Sequence, residues 1–117
     1  MERDFRDFLE DIIQMCGQID EFIRGIDKEQ FLNDTKTVYA VIRCIEIIGE
    51  AVKHIPTDVR ERYNEIPWKM WAGMRDRLIH AYWHILLPVI WETITTKTSE
   101  IKNTSIKILD ELNKKYN

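Results

Sequence analysis

Apolar positions recur along this chain at intervals of three and four. Phe5, Phe8, Leu9, Ile12, Ile13, Cys16, Ile19, Phe22, Ile23 and Ile26 mark one face of an amphipathic helix over residues 2–25. Gly25 stands where a helix C-terminus is expected, and Asp27 can cap a short turn through Gln30. A second stripe runs through Val38, Val41, Ile42, Ile45, Ile48, Val52 and Ile55. Asn33, Asp34 and Thr35 offer N-caps for it, and Pro56 ends it. Gly49 interrupts this helix at a cost of about 1 kcal/mol relative to Ala, which predicts a neighbouring helix in close approach.

Thr57-Asp58 can cap one or two turns ending near Tyr63. Pro67 suits a first helical position, so a third main helix is expected from Trp68 to about Tyr82. Pro88 marks another start, with a last helix from there towards Leu112 and a frayed end over residues 113–117. Thr93, Thr95, Thr96 and Thr98 weaken the first half of that helix. Short connections imply antiparallel neighbours. The expected fold is all-α: one domain over 1–117, an up-and-down bundle of four main helices plus short helical turns.

Composition agrees with this. The 117 residues suit one core, and only four Gly and three Pro argue against a turn-rich β fold. No apolar run approaches the roughly 20 residues that span a bilayer. The start, Met1-Glu2-Arg3-Asp4-Phe5-Arg6-Asp7, is unlike a signal peptide, so a cytoplasmic location is expected. Cys16 and Cys44 fall on apolar faces without metal-ligand spacing, which reads as two buried free thiols and no metal site.

Charge is uneven. Residues 1–34 hold ten acidic and four basic side chains. Residues 53–84 hold Lys53, Arg60, Arg62, Lys69, Arg75 and Arg77 against four acids, together with all three histidines, His54, His80 and His84. A net charge of −3 excludes a surface that is basic throughout, so a polyanion would be met on the 53–84 segment. Trp68, Trp71, Trp83 and Trp91 crowd the same region, either as core or as an aromatic-rich self-contact.

Chemistry concentrates between Arg75 and Tyr82. At 100° per residue Asp76 and His80 share a face, so the carboxylate can orient the imidazole. Arg75, Ile79 and Tyr82 share another stripe. Arg75 and His80 lie about 140° apart on a straight helix. They converge more easily if two copies face each other across a two-fold axis, as in a homodimer. An ordinary amphipathic edge with an i, i+4 Asp–His pair accounts for the same residues.

Arg75-x4-His80-x-Tyr82 resembles the Arg-x4-His-x-Tyr signature of HEPN-domain proteins, specifically the HepT-like toxins paired with minimal nucleotidyltransferases. The run Ile47-Ile48-Gly49-Glu50-Ala51, the entry Ile66-Pro67-Trp68, Val89-Ile90-Trp91, and Phe31 with Asp34 extend the likeness, in order, over residues 5–95. The resemblance implies a homodimeric HEPN-like bundle, alone or within a larger hetero-oligomer. It implies metal-independent RNA cleavage without a cofactor, in a type II toxin–antitoxin pair. His80 would be general base or acid, Arg75 would neutralise phosphoryl charge, and Asp76 would orient His80 or its twin. Arg77, Lys69, Arg60 and Arg62 would hold the RNA backbone. Tyr82 would receive AMP from a nucleotidyltransferase antitoxin. Asp76 stands where the family often has Asn, and Trp83-His84-Ile85-Leu86 lacks a Gly and an Asp common in relatives. A non-catalytic HEPN scaffold or regulatory partner of the nucleotidyltransferase is therefore the alternative.

Overall fold

The computed structural model describes residues 4–80 and 82–116, with the side chains of residues 115 and 116 left aside. Residues 2 and 3 of the first expected helix, Ala81 within the motif, and Asn117 lie outside the described residues. Among the described residues there are seven helices and no strand. They are α1 (Phe5–Phe22), α2 (Lys28–Leu32), α3 (Thr35–Lys53), α4 (Thr57–Arg62), α5 (Trp68–His80), α6 (Trp83–Thr96) and α7 (Thr98–Tyr116).

The caps explain most of the boundaries. The Asp4 carboxylate accepts from the Arg6 backbone N–H at 3.0 Å and starts α1. The chain leaves α1 through Gly25, whose φ of 77° is the left-handed region that glycine enters without penalty. Asp27 and Gln30 form a reciprocal capping box at α2. Asp34 caps α3, accepting from the Thr37 N–H at 3.2 Å and from the Thr37 hydroxyl at 2.6 Å. The N-cap of α4 is Pro56 and not Thr57-Asp58, and it has no side-chain cap bond. Before α5, the Trp68 indole N–H donates to the Tyr63 carbonyl at 3.0 Å and fixes the entry.

The last part of the chain departs from expectation. Instead of one helix from Pro88, α6 begins five residues earlier at Trp83, carries Pro88 inside it, and stops at Lys97. A new helix then runs to Tyr116, so the end is helical where fraying was expected. Packing overrides the proline signal: Leu86, Ile90 and Ile94 of α6 are buried, while Pro88 sits on the exposed side, where water can meet the carbonyl it leaves unbonded. The threonines bond back to α6, Thr98 from across the break. Thr93, Thr95, Thr96 and Thr98 hydroxyls donate to carbonyls four residues back at 2.7–3.0 Å, a back-bonding that bends helices, and the break at Lys97 falls among them.

α3 is central. It packs against α1 on one side and α5 on the other, and α7 covers α1 beyond. Leu9, Ile12 and Ile19 of α1 meet Val41, Ile45 and Ile48 of α3 in a core with essentially no exposure. α2 lays Phe31 into that core and against Trp91 of α6, ring centroids 5.1 Å apart. α6 itself touches α2, α5 and α7 only sparsely. Trp68 and Trp71 are core residues, whereas Trp83 and Trp91 are half-buried, so the aromatic cluster divides between core and surface. Cys16 and Cys44 are buried free thiols. Among the described residues no helix is long and apolar enough to cross a membrane.

Candidate functional site

The site begins with an absent methyl group. A Cβ at Gly49 of α3 would stand 2.7 Å from the Trp71 carbonyl oxygen and 3.2 Å from Arg75 Cγ, with Arg75 Cβ closer still. Glycine therefore lets α5 lie against α3 backbone to backbone, and this is the close approach that its position in the sequence predicted. The consequence is local: the Arg75 side chain is laid along α3 beside Glu50.

A chain of charges follows from that placement. Arg75 Nη2 is 3.5 Å from Glu50 Oε2, and Arg75 Nη1 donates to Asp76 Oδ1 at 3.0 Å. Lys53 Nζ donates to the same Asp76 oxygen at 2.7 Å. His54 Nε2 lies 3.4 Å from the other Glu50 oxygen, and the His54 ring stacks on Phe8 of α1 with centroids 4.2 Å apart. The bond from Lys53, and then that from Arg75, hold the Asp76 carboxyl below the usual carboxylate range. The Arg75 side chain keeps only 27% of its exposure and borders a cleft of about 210 Å³ with Phe8, Asp11, Arg43, Glu46 and Ile79.

His80 is elsewhere. It is the last residue of α5 and exposed, and its side chain has no hydrogen bond or ion pair among the described residues. Within one chain Asp76 therefore does not hold His80; its Oδ1 is taken by Lys53 and Arg75. Tyr82, the next described residue, is 79% exposed at the N-cap of α6. Ile79 and Ile85 beside it are 45% and 78% exposed. Tyr39 of α3 stands edge-on to Trp83, which stacks on His84.

The remaining cations do not converge on Arg75. Arg60 is spent on structure: its Nε donates to the Ile55 carbonyl at 3.0 Å and its Nη2 to the Thr57 hydroxyl at 3.2 Å, closing the end of α3. Arg60 and Lys69 border a hollow with Pro67 and Trp68, and Arg62 is exposed on α4. Arg77 borders a third hollow, between α5 and α6. The structure thus groups Arg75 with Asp76, leaves His80 and Tyr82 together at the α5–α6 junction, sets Arg60 and Lys69 at one hollow and Arg77 at another, and leaves Arg62 exposed on α4.

Three ionisable residues of the network were not among the sequence candidates, Glu50, Lys53 and His54. The signal was Gly49 itself: an acid that follows a mid-helix glycine is carried to the helix that the glycine admits. Among the described residues no group of three or more His, Cys, Asp or Glu side chains is gathered closely enough to hold a metal ion.

Comparison with known proteins gives one consistent result. The family model described as "Ribonuclease HepT-like" matches residues 12–108. "Putative RNase MJ0125" of Methanocaldococcus jannaschii is 46% identical over 97% of this chain and 98% of its own length. "Probable ribonuclease HepT" of Thermococcus cleftensis is 46% identical over 92% and 98%. "Putative RNase TTE0752" of Caldanaerobacter subterraneus is 42% identical over 91% and 95%. No solved structure gives a significant match.

Proposed function

Because the chain belongs to the HepT-like ribonuclease family, we propose that it is an endoribonuclease whose site is assembled from two copies, Arg75 of one and His80 of the other around a single phosphodiester. The observation that carries this is the divergence on α5: Arg75 is drawn to α3 by Glu50, while His80 stands exposed at the helix end. Exposed Ile79 and Ile85 beside His80 offer the apolar surface on which a second copy would sit.

The chemistry uses the substrate's own hydroxyl. The 2′-oxygen gives its proton to one imidazole and attacks the adjacent phosphorus. A bond from phosphorus to the 2′-oxygen forms, the bond to the 5′-oxygen breaks, and the departing oxygen takes a proton from an imidazolium. The products are a 2′,3′-cyclic phosphate and a 5′-hydroxyl. Arg75 neutralises the charge that grows on the non-bridging oxygens, and Glu50 and Asp76 fix the guanidinium in place beforehand. Asp76 is in this reading a positioning residue for Arg75 in its own chain, and its reach to the imidazole is across the dimer. DNA lacks the nucleophile and is not a substrate. Arg77, Lys69 and Arg62 contact the RNA backbone, and Arg60 contributes charge from its fixed position.

The same reading makes the protein the toxin of a type II pair, in the cytoplasm, restrained by a minimal nucleotidyltransferase. The Tyr82 hydroxyl attacks the α-phosphorus of ATP, pyrophosphate leaves, and the bound AMP sets a negative charge beside the cleavage site. The 79% exposure of Tyr82 supports this, since a transferase must reach it.

The test is cleavage of an RNA oligomer by the purified protein in excess EDTA. His80→Ala and Arg75→Ala should each lose at least roughly 100-fold in rate. Mixing the two inactive variants should restore about a quarter of wild-type activity, because half of the dimers are mixed and each has one intact site. No recovery on mixing, from variants that dimerise, would place both groups in one chain. If the wild type leaves RNA intact, the scaffold alternative takes its place.

A further inference from the structure

α5 presents two faces. Arg75 looks towards α3, and on the opposite side Gly73, Arg77 and His80 follow one another along a single stripe. Gly73 and Arg77 of that second stripe border an open groove of about 350 Å³ between α5 and α6. Met70, Met74 and Arg77 line it from α5, Val89 and Glu92 from α6, and Lys97 closes one end at the helix break. The volume lies at the lower end of the range for small-molecule sites, about 300–1,000 Å³.

Two features point to what it holds. The floor is apolar and polarisable, made of two methionines and Val89, a surface suited to a flat aromatic ring. The rim carries Arg77 and Lys97, neither of whose side chains has a hydrogen bond or ion pair among the described residues, even to Glu92 in the same groove. Two unneutralised cations flanking an apolar slot match a nucleotide, a ring with a phosphate on either side. The Glu92 carboxylate repels phosphate but accepts N–H groups, so it faces the edge of the base. The location is also informative: Arg77 precedes His80 by three residues, about 4.5 Å along the axis.

We propose that the α5–α6 groove is a nucleotide subsite for single-stranded RNA. It takes the base next to the scissile phosphate between Met70, Met74 and Val89, and the flanking phosphates on Arg77 and Lys97. It rests on the ribonuclease reading for its place beside the cut, but binding is separable from cleavage.

The experiment uses the full-length His80→Ala protein, which should bind RNA without cutting it. Its methionine methyl groups are observed by NMR while a five-nucleotide single-stranded RNA is added. Met70 and Met74 methyls are expected to shift and saturate. Arg77→Ala and Lys97→Ala should each weaken that binding roughly tenfold. Gly73→Leu fills the groove, since a Cβ there meets nothing within 4 Å, and should abolish the shifts while leaving the helical spectrum intact. Methyls that stay still at saturating RNA overturn the proposal. So do methyls that respond to protein concentration alone, which would mean that a second copy fills the groove. Normal cleavage by Gly73→Leu overturns the subsite and leaves the catalytic reading standing. Intact RNA with wild-type protein, alongside shifted methyls, rejects the catalytic reading and leaves the subsite standing.

Discussion

Replacing Gly49 with alanine puts a methyl group where the structure has no room. The new carbon would lie 2.7 Å from the Trp71 carbonyl oxygen, against the roughly 3.5–4.0 Å at which heavy atoms are in favourable contact. The obstacle is backbone, so no side chain can rotate away, and α5 must retreat by about 1 Å. Overpacking of this kind costs about 1–3 kcal/mol. Alanine offsets about 1 kcal/mol of it through helix propensity. A rigid obstacle puts the cost in the upper part of that range, about 2–3 kcal/mol, so the net loss should be about 1–2 kcal/mol, or about 4–8 °C in melting temperature. The same shift moves Arg75 away from Glu50. A displacement near 1 Å at a reacting centre costs about 100-fold in rate. Urea unfolding and RNA cleavage on one preparation measure both. A variant as stable as wild type that cleaves at the wild-type rate would refute the claim that Gly49 sets the position of Arg75.

Gly17 provides the converse case: it lies inside α1, and a Cβ there would meet nothing within 4 Å, so Gly17→Ala should stabilise the fold by about 0.5–1 kcal/mol in the same urea experiment. Asp34, whose carboxyl is held below its usual range by the Thr37 hydroxyl and then the Thr37 N–H, contributes stability above the ordinary carboxylate value and loses it as pH falls through the lowered one. Asp34→Asn keeps the cap without the titration, so its melting temperature should vary less with pH in the acid range. Burial pushes the Cys16 thiol up to about 12 and the Cys44 thiol to about 11. Above about pH 9 the unfolded chain loses these protons and the folded chain keeps them, so stability should fall from there towards pH 11, and less steeply in a Cys16→Ala, Cys44→Ala double variant. A thiol reagent at pH 8 should label both cysteines no faster than the protein opens, as followed by mass.

The helices that pack through one apolar stripe were legible in the sequence. Asp27 with Gln30, and Asp34, each named a boundary correctly, because capping is a contest among neighbours a few residues apart, whereas α1 ends at Phe22 with Ile23 as its C-cap and Gly25 only turns the chain beyond it. The α6–α7 region was not legible, because its outcome depends on tertiary packing: Leu86 and Ile90 find a core that makes a helix out of a stretch Pro88 should have opened. In the candidate site, periodicity gave the angle between Arg75 and His80 but not the neighbours across α3. The pairing of Asp76 with Lys53 needs the register of two helices, which local spacing does not contain.

Phe8 stacks on His54, His54 touches Glu50, and Glu50 steadies Arg75. The guanidinium is therefore braced from the second turn of the first helix, by a residue far upstream that carries no charge and would never be nominated from a motif. Loosening α1 frees the imidazole, removes the His54 contact from the Glu50 carboxylate and weakens its hold on Arg75. Substitutions in this family that dim activity without touching the signature would thus be sought first where an aromatic ring leans on the end of α3.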